Sequence, residues 1–440
     1  MSVVSRLLQT KVAHRLQFEA NRHWRPHDES RRLLVVGSGA PGMRGYILES
    51  ICRHGFPVTL LCAEPPTWEQ PFIDQFVVAD FADFDAVVRK VREAVLGRPV
   101  RGCLTYVETD GPLAARLSRE LGLGLYGPET AERVRDKHLM RQTLRDAGLP
   151  MPVSVVVENR DLRGAVAKVG LPAVLKPIRG EGSINVLKLE DDAGVVEAQR
   201  LMQASRSDAG WRYGGYLIEQ YVDGTEFSVE SIVANGQVLH AAVTDKYKGA
   251  EPYFEELSHS LPSQIASHEE AEILDVVTRA IVALGLDNCA VHTELKRGSL
   301  GTVIIETAGR LAGGRIPRLV ELARGLDLAD AAARAAVGLP VSLHASREQV
   351  ASVGFFVPAR EQRQDLDLAA RPLVPGLVDF DFWGRAGQLH GVPPQQFLLR
   401  LGYAVGVADT YEESRRVLER TRLLVTAQTG LELLPFPIGR

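Results

Sequence analysis

The sequence predicts an α/β and α+β fold: a parallel-sheet domain first, then α+β structure rich in antiparallel strands. Three observations carry this. From Arg31 to about Gly127 short apolar strands alternate with helical stretches, the pattern of β-α-β units. Further on, strands follow one another with Asp223-Gly224 and Asn235-Gly236 at their turns, dipeptides that favour antiparallel hairpins. A length of 440 residues also allows a large core divided among about two to four domains.

The elements follow in order. "RLLVVGSG" reads as a strand, "RGYILESICRHG" as a helix closed by Gly55, and "PVTLLCAE" as a second strand. "DFDAVVRKVREAVLG" is helical, "VRGCLTYVE" a strand and "GPLAARLSREL" a helix. A further helix begins after Pro128 and is ended by Gly148 and Pro150. "VSVVVEN", "LPAVLKPI" and "INVLKLE" are strands, the last two separated by the glycine-rich turn "RGEGS". After the strand run "YLIEQYVDGTEFSVESIVANGQVLHAAVTDK" come the helix "HEEAEILDVVTRAIVALGL" and a hairpin turning at Gly298 to Gly301. The tail mixes strands with one helix, "TYEESRRVLERTRLLV". Expected boundaries are an N-terminal helical extension over 1–30, a parallel-sheet domain over 31–127, a central region over 128–345 and a C-terminal α+β region over 346–440.

Composition narrows the function. A net charge of −4 gives no nucleic-acid footprint, and no run of about 18 apolar residues suggests a membrane span. The four cysteines (Cys52, Cys62, Cys103, Cys289) are scattered, which argues against a zinc site or disulfide framework and fits the cytoplasm. The first 24 residues are basic and amphipathic but lack the apolar core of a secretory signal.

Gly37, Gly39 and Gly42 in "LLVVGSGAPGMRG" have the G-x-G-x-x-G spacing of a dinucleotide turn, and Glu64 ends the next strand, where an acid meets a ribose. Any tight strand-to-helix crossing asks for such glycines too. On these residues alone the two readings stay open.

A denser constellation lies downstream. Lys176 leaves a strand beside a turn with Gly180, Gly182 and Ser183, a means of holding polyphosphate. "YLIEQYVDGTEF" places Glu219 and Glu226 around a turn, as acceptors for an adenine amino group or a ribose hydroxyl. "VHTELK" and "VIIETAGR" read as paired strands that set Glu294 and Glu306 on apolar backgrounds. Two carboxylates so placed repel unless a cation sits between them, and hard oxygen donors beside phosphate point to Mg²⁺. Arg310 and Gly313-Gly314 follow, suited to a carboxylate or its acyl phosphate.

Jointly and in this order, "DKHLMRQTLRDAGLPMP", "LPAVLKPIRGEGSINV", "IEQYVDGTEFSVE", "HTELK" and "IIETAGR" resemble the ATP-grasp superfamily of carboxylate–amine ligases, from about Ser30 to the C-terminus. The resemblance implies a Rossmann-like first domain that does not hold ATP, two α+β subdomains that clasp it, and a small C-terminal α+β region. It implies that Lys137 and Lys176 contact phosphate, with Ser183 in the phosphate turn. Glu219 and the backbone near Val222 would meet adenine, Glu226 the ribose, and Glu294 and Glu306 the metal, Mg²⁺ or in its place Mn²⁺. One departure matters: many relatives read E-x-N after the last strand, whereas "ETA" puts Ala308 at the Asn position.

"AVHTELK", "IIETAGRLAGG", "ELSHSLPS" and "RGLDL" resemble a narrower group, the L-amino-acid ligases of the bacilysin-synthesis type. There Arg310 would hold the carboxylate or phosphorylated intermediate as a catalytic group with Lys176. Lys246, Ser258 and His259 would lie near the acceptor, with Gly313 and Gly314 at the substrate. Gly314 stands where that group carries a bulky aromatic, so an open pocket beside it is expected. The implied reaction joins a small-molecule carboxylate to an amine with ATP, without nucleic acid or membrane, in a protein for which a homodimer is compatible. Its rivals are a biotin-carboxylase-like or purine-pathway ligase of the same superfamily, which should carry E-x-N, and a nicotinamide-dependent oxidoreductase, which would rest on the opening turn alone.

Overall fold

The computed structural model describes residues 28–158, 161–204, 214–249, 251–397 and 399–439. The expected N-terminal extension falls largely in 1–27, outside the described residues.

β1 (Leu33–Val36), β2 (Val58–Cys62), β3 (Gln75–Val78) and β4 (Gly102–Leu104) form a parallel sheet in the order β3-β2-β1-β4. Every residue of β1 and β2 is buried, because helices cover both faces of such a sheet. The helix Phe84–Ala94 starts where Asp83 accepts a hydrogen bond from the Ala86 N–H.

β5 (Ser154–Val156), β6 (Ala173–Pro177), β7 (Leu187–Leu189) and β8 (Tyr216–Gln220) make a small antiparallel sheet in the order β5-β8-β6-β7. Its inner face buries Leu175, Leu187 and Ile218 against Leu162 and Val195 of the helices Leu162–Val169 and Asp192–Ala204.

The remaining strands are β9 (Thr225–Ala234), β10 (Gln237–Lys248), β11 (Glu256–Leu261), β12 (Cys289–Gly298), β13 (Gly301–Ala308), β14 (Val350–Phe355), β15 (Gln362–Arg363), β16 (Leu377–Phe382), β17 (Leu389–His390) and β18 (Gly402–Ala408). Eight of them join one antiparallel sheet, β13-β12-β9-β10-β11-β14-β18-β16, while β15 and β17 pair as a separate ribbon. Asn235 and Gly236 both have positive φ (52° and 76°) and close the β9–β10 hairpin as expected. Asp223-Gly224 does not close a hairpin. It carries the chain from the small sheet into the large one, since β8 and β9 belong to different sheets. The link is tight: a Cβ on Gly224 would overlap the Arg297 carbonyl.

The parallel domain is not an independent body. Leu33, Ile47 and Leu60 share a core with Ile232 of β9, Leu319, and the small side chains of the helix Leu328–Ala336. That helix approaches so closely that a Cβ on Gly102 would overlap the Ala336 carbonyl. The expected boundary at 345/346 falls between two strands of one sheet, because β14 pairs with β11.

Candidate active site

Lys137, Lys176, Ser183, Glu219, Val222, Glu226, Glu294, Glu306 and Arg310 all line one cleft between the small and large sheets. Groups of both signs, distant in sequence, therefore converge.

Lys137 opens the helix Lys137–Asp146, whose first turn is capped by Asp136 through the N–H groups of His138 and Leu139. Its Nζ donates to the Gly180 carbonyl at 2.8 Å and to Glu306 Oε1 at 3.1 Å. The turn beyond β6 holds Ser183 at φ 56°, and Gly180 to Ser183 form the cleft wall facing Lys137.

Lys176 on β6 pairs with Glu219 on the adjacent β8, and Arg141 grips the same carboxylate at 2.9 and 3.3 Å. Burial raises the Glu219 carboxyl, but Arg141 and Lys176 outweigh it and hold the group down at about 2. Lys176 is lowered to about 8, chiefly by burial. Both Glu219 oxygens meet cations, so the side chain fixes Lys176 at the cleft that Glu219 also lines. The backbone of Val222 does lie in the cleft, where its carbonyl accepts from Lys296 Nζ at 2.8 Å. Glu226 is met by Lys248 Nζ at 2.5 Å and Lys246 Nζ at 3.6 Å.

Glu294 and Glu306 are directly opposite in the β12–β13 register, with a bulge following Glu294. Like charges in that position repel. Lys137 offsets one, and Lys246 at 2.5 Å offsets the other. Burial raises the Glu294 carboxyl, yet Lys246 and His292 hold it well below its usual range. Among the described residues no three His, Cys, Asp or Glu form a metal cage. Two hard carboxylates opposite each other in a cleft also lined by Lys137, Lys176 and Arg310 instead fit Mg²⁺ or Mn²⁺ completed by phosphate and water.

Arg310 donates through Nε to Glu108, and Arg135 stands 4.0 Å from the same carboxylate. Burial lowers this guanidinium, but Glu108 and Glu306 raise it further.

The expected acceptor-side residues separate. Lys246 is buried beneath the cleft with Glu256 at 2.6 Å as well as Glu294 and Glu226, so it organises three carboxylates rather than meeting an acceptor. Ser258 is buried and donates to the Pro437 carbonyl, away from the cleft. His259 is buried edge-on to Phe355, 3.7 Å from Glu256, and burial first of all lowers it to about 3. Gly313 lies near Arg44. Gly314 has φ +57°, and a Cβ there would lie 2.6 Å from His259 Nε2. The open pocket expected beside Gly314 is therefore absent, because His259 and Phe355 fill that space.

Sequence reasoning missed several cleft residues. Lys296, two positions after Glu294, lies on the same strand face and stacks near Tyr221 and Phe254. Lys248 and Glu256 also line the cleft. His292 does as well: its Nδ1 is 2.9 Å from Glu230 Oε1 and its Nε2 is 3.2 Å from Glu294 Oε1. Burial lowers this imidazole, but Glu230 and then Glu294 push it up to about 9. It stands directly opposite Ala308 in the register. The spacing H-x-E was the available signal.

The turn after β1 and the first turns of the helix Pro41–Arg53 that follows it are packed by the protein's own side chains. A Cβ on Gly37 would overlap Asp110 Oδ2, one on Gly42 would lie 3.3 Å from Trp383, and one on Gly45 would lie 3.5 Å from Trp68.

Residues 169–318 match the model of an ATP-grasp domain. The chain is 26% identical over 402 residues to an uncharacterised protein of Sinorhizobium fredii, covering 89% of this chain and 82% of that one. It is 30% identical over 234 residues to the alanine–anticapsin ligase of Bacillus subtilis, covering 49% of each, so it spans about half of that ligase. The crystal structure of an L-amino acid ligase from Bacillus licheniformis superposes with a TM-score of 0.72 at 22% identity, over 92% of this chain and 98% of the other.

Proposed function

We propose that this chain, which carries an ATP-grasp domain, is an ATP-dependent ligase that joins the carboxylate of an amino acid to an amine, that of a second amino acid, through an acyl phosphate. The observation that carries the reading is the direct opposition of Glu294 and Glu306 in a cleft shared with Lys137, Lys176 and Arg310. The relatives with ligase names support the same reading.

In this reading ATP lies in the cleft with its phosphates between Lys137, Lys176 and the Gly180–Ser183 turn. Glu294 and Glu306 would hold a divalent cation, which when bound would neutralise phosphate charge. A substrate carboxylate oxygen attacks the γ-phosphorus as ADP leaves, and Arg310 stabilises the charge that develops. The amine nitrogen then attacks the acyl carbon, loses a proton and expels phosphate. No nucleophilic side chain is needed, because the work is positioning and charge neutralisation. Glu108 contributes by holding Arg310 at the cleft wall.

The test is ADP release over pairs of amino acids, with hydroxylamine as a trap. Amino-acid-dependent ADP release with hydroxamate formation is expected; ADP release without any hydroxamate or amide would overturn the reading. A homodimer and a cytoplasmic location belong to the same reading and are checked by light scattering and cell fractionation.

A further inference from the structure

Three adjacent strands of the large sheet bring six positions together. In the β9–β12 register Glu230 stands opposite His292 and Ser228 opposite Glu294. In the β12–β13 register His292 stands opposite Ala308 and Glu294 opposite Glu306. Positions two apart on a strand share a face, so these are two neighbouring rows: Glu230–His292–Ala308 and Ser228–Glu294–Glu306. His292, Glu294, Glu306 and Ala308 all line the cleft. The second row holds the opposed carboxylates. The first holds a buried acid and an imidazole to which the proposed chemistry gives no task.

Glu230 is 1% exposed, a burial that is costly for a carboxylate unless it has partners. Its Oε1 accepts from the Ser228 hydroxyl at 2.9 Å and meets His292 Nδ1 at 2.9 Å. The other ring nitrogen, Nε2, stands 3.2 Å from Glu294 Oε1, to which Lys246 Nζ also donates at 2.5 Å. An acceptor on each side means that both ring nitrogens donate. Among the described residues no hydrogen bond reaches Glu294 Oε2. The imidazole is rigid, so anchoring Nδ1 on Glu230 sets where Nε2 points and which oxygen of Glu294 it takes. That hold opposes the push of Glu306, a like charge directly across the strand pair. At the far end of the first row Ala308 has no polar side chain to share the task.

We propose that His292, anchored by Glu230, is a positioning residue that pins Oε1 of Glu294 and presents Oε2 to a divalent cation in the cleft. The inference rests on the reading of Glu294 and Glu306 as cation ligands. Groups that orient a metal ligand from behind change metal affinity by about 10- to 100-fold when they are removed.

The two ring nitrogens can be replaced separately. His292→Gln places an amide N–H donor near the Nε2 position and keeps the link to Glu294. His292→Asn places it near Nδ1 and keeps only the link to Glu230. Mn²⁺ is titrated into the full chain with saturating ADP, and free Mn²⁺ is read from its EPR signal. ADP binding in EDTA and the melting temperature are measured beside it. His292→Asn should weaken Mn²⁺ about 10- to 100-fold, and His292→Gln by no more than about threefold. Both should bind metal-free ADP as the wild type does. The proposal is overturned if the two variants lose Mn²⁺ equally, if neither loses it, or if Asn is the better replacement, as simple packing against Glu230 would require. Should His292→Asn not fold, Glu230→Gln takes its place: it should weaken Mn²⁺ about 10-fold, and unchanged affinity overturns the anchor. A wild type that takes up no Mn²⁺ with ADP overturns the cation assignment and this inference with it. Uptake indifferent to His292 overturns the inference alone. His292-dependent uptake in a protein that releases no ADP with any pair of amino acids keeps the positioning role and discards the ligase.

Discussion

The turn after β1, which runs from Gly37 into the helix Pro41–Arg53 that bears Gly42 and Gly45, and the turn after β6, Gly180 to Ser183, both leave an apolar strand through glycines. In the first, the space that Cβ atoms would need is taken by Asp110, the Arg44 stem, Trp383 and Trp68. In the second, the backbone borders a cleft that also holds Lys137, Lys176 and the opposed pair Glu294 and Glu306. Glycine spacing reports only that something comes close to the backbone. The surrounding charge says whether that neighbour is a polyphosphate or the protein's own side chains.

The largest effects should come from the second turn's partners. Glu306→Gln and Lys176→Ala should each lower ADP release by about two to three orders of magnitude, since each removes charge that acts on the transition state. Lys176→Ala should also cost stability, about 1.5–3 kcal/mol, because it removes one of the two cations on the buried Glu219 while Arg141 keeps the other contact. Urea denaturation separates the two losses. Near-normal turnover in either variant would dissolve the contrast between the turns.

Gly42→Leu attacks the comparison from the other side. It should destabilise by about 1–3 kcal/mol through overpacking on Trp383 while leaving the KM for ATP unchanged. A tenfold rise in that KM at unchanged stability would make the first turn a nucleotide loop after all.

Gly314→Trp should act on folding rather than on substrate choice. The residue has φ +57° and faces His259, so the melting temperature should fall by the equivalent of about 1–3 kcal/mol. A stable variant with altered substrate preference would restore the open-pocket expectation.

The smallest effect is a pH slope. The folded Glu219 carboxyl, at about 2, lies below its ordinary 4.5, so its contribution is complete above about pH 4.5 and is lost as pH falls toward about 2. Melting curves across that window should fall more steeply for the wild type than for Glu219→Gln.

Much of this was legible in the residues. Strands announced themselves through apolar runs, and Asn235-Gly236 and the Gly298–Gly301 turn fixed two hairpins. Glu294 and Glu306 could be paired because the hairpin between them is short enough to set their register. What stayed hidden depended on neighbours from other elements. Arg141 reaches Glu219 from a helix, Lys246 gathers three glutamates across strands, and His259 fills the space beside Gly314. No local pattern encodes such meetings. Lys296 and His292 were nearer to hand, each two residues from Glu294 on one strand face.

The pairing of β11 with β14 has a consequence for engineering. A chain cut between residues 345 and 346 would strip β14, β18 and β16 from the large sheet and leave β11 with an open edge, a template for aggregation. The same pairing makes the last hundred or so residues a poor unit of exchange between related proteins. A chimera joined there must rebuild a strand interface that continues through β11 and β10 to Lys246, which pairs with Glu294 in the cleft. Recombination would be better placed where the chain crosses no ladder.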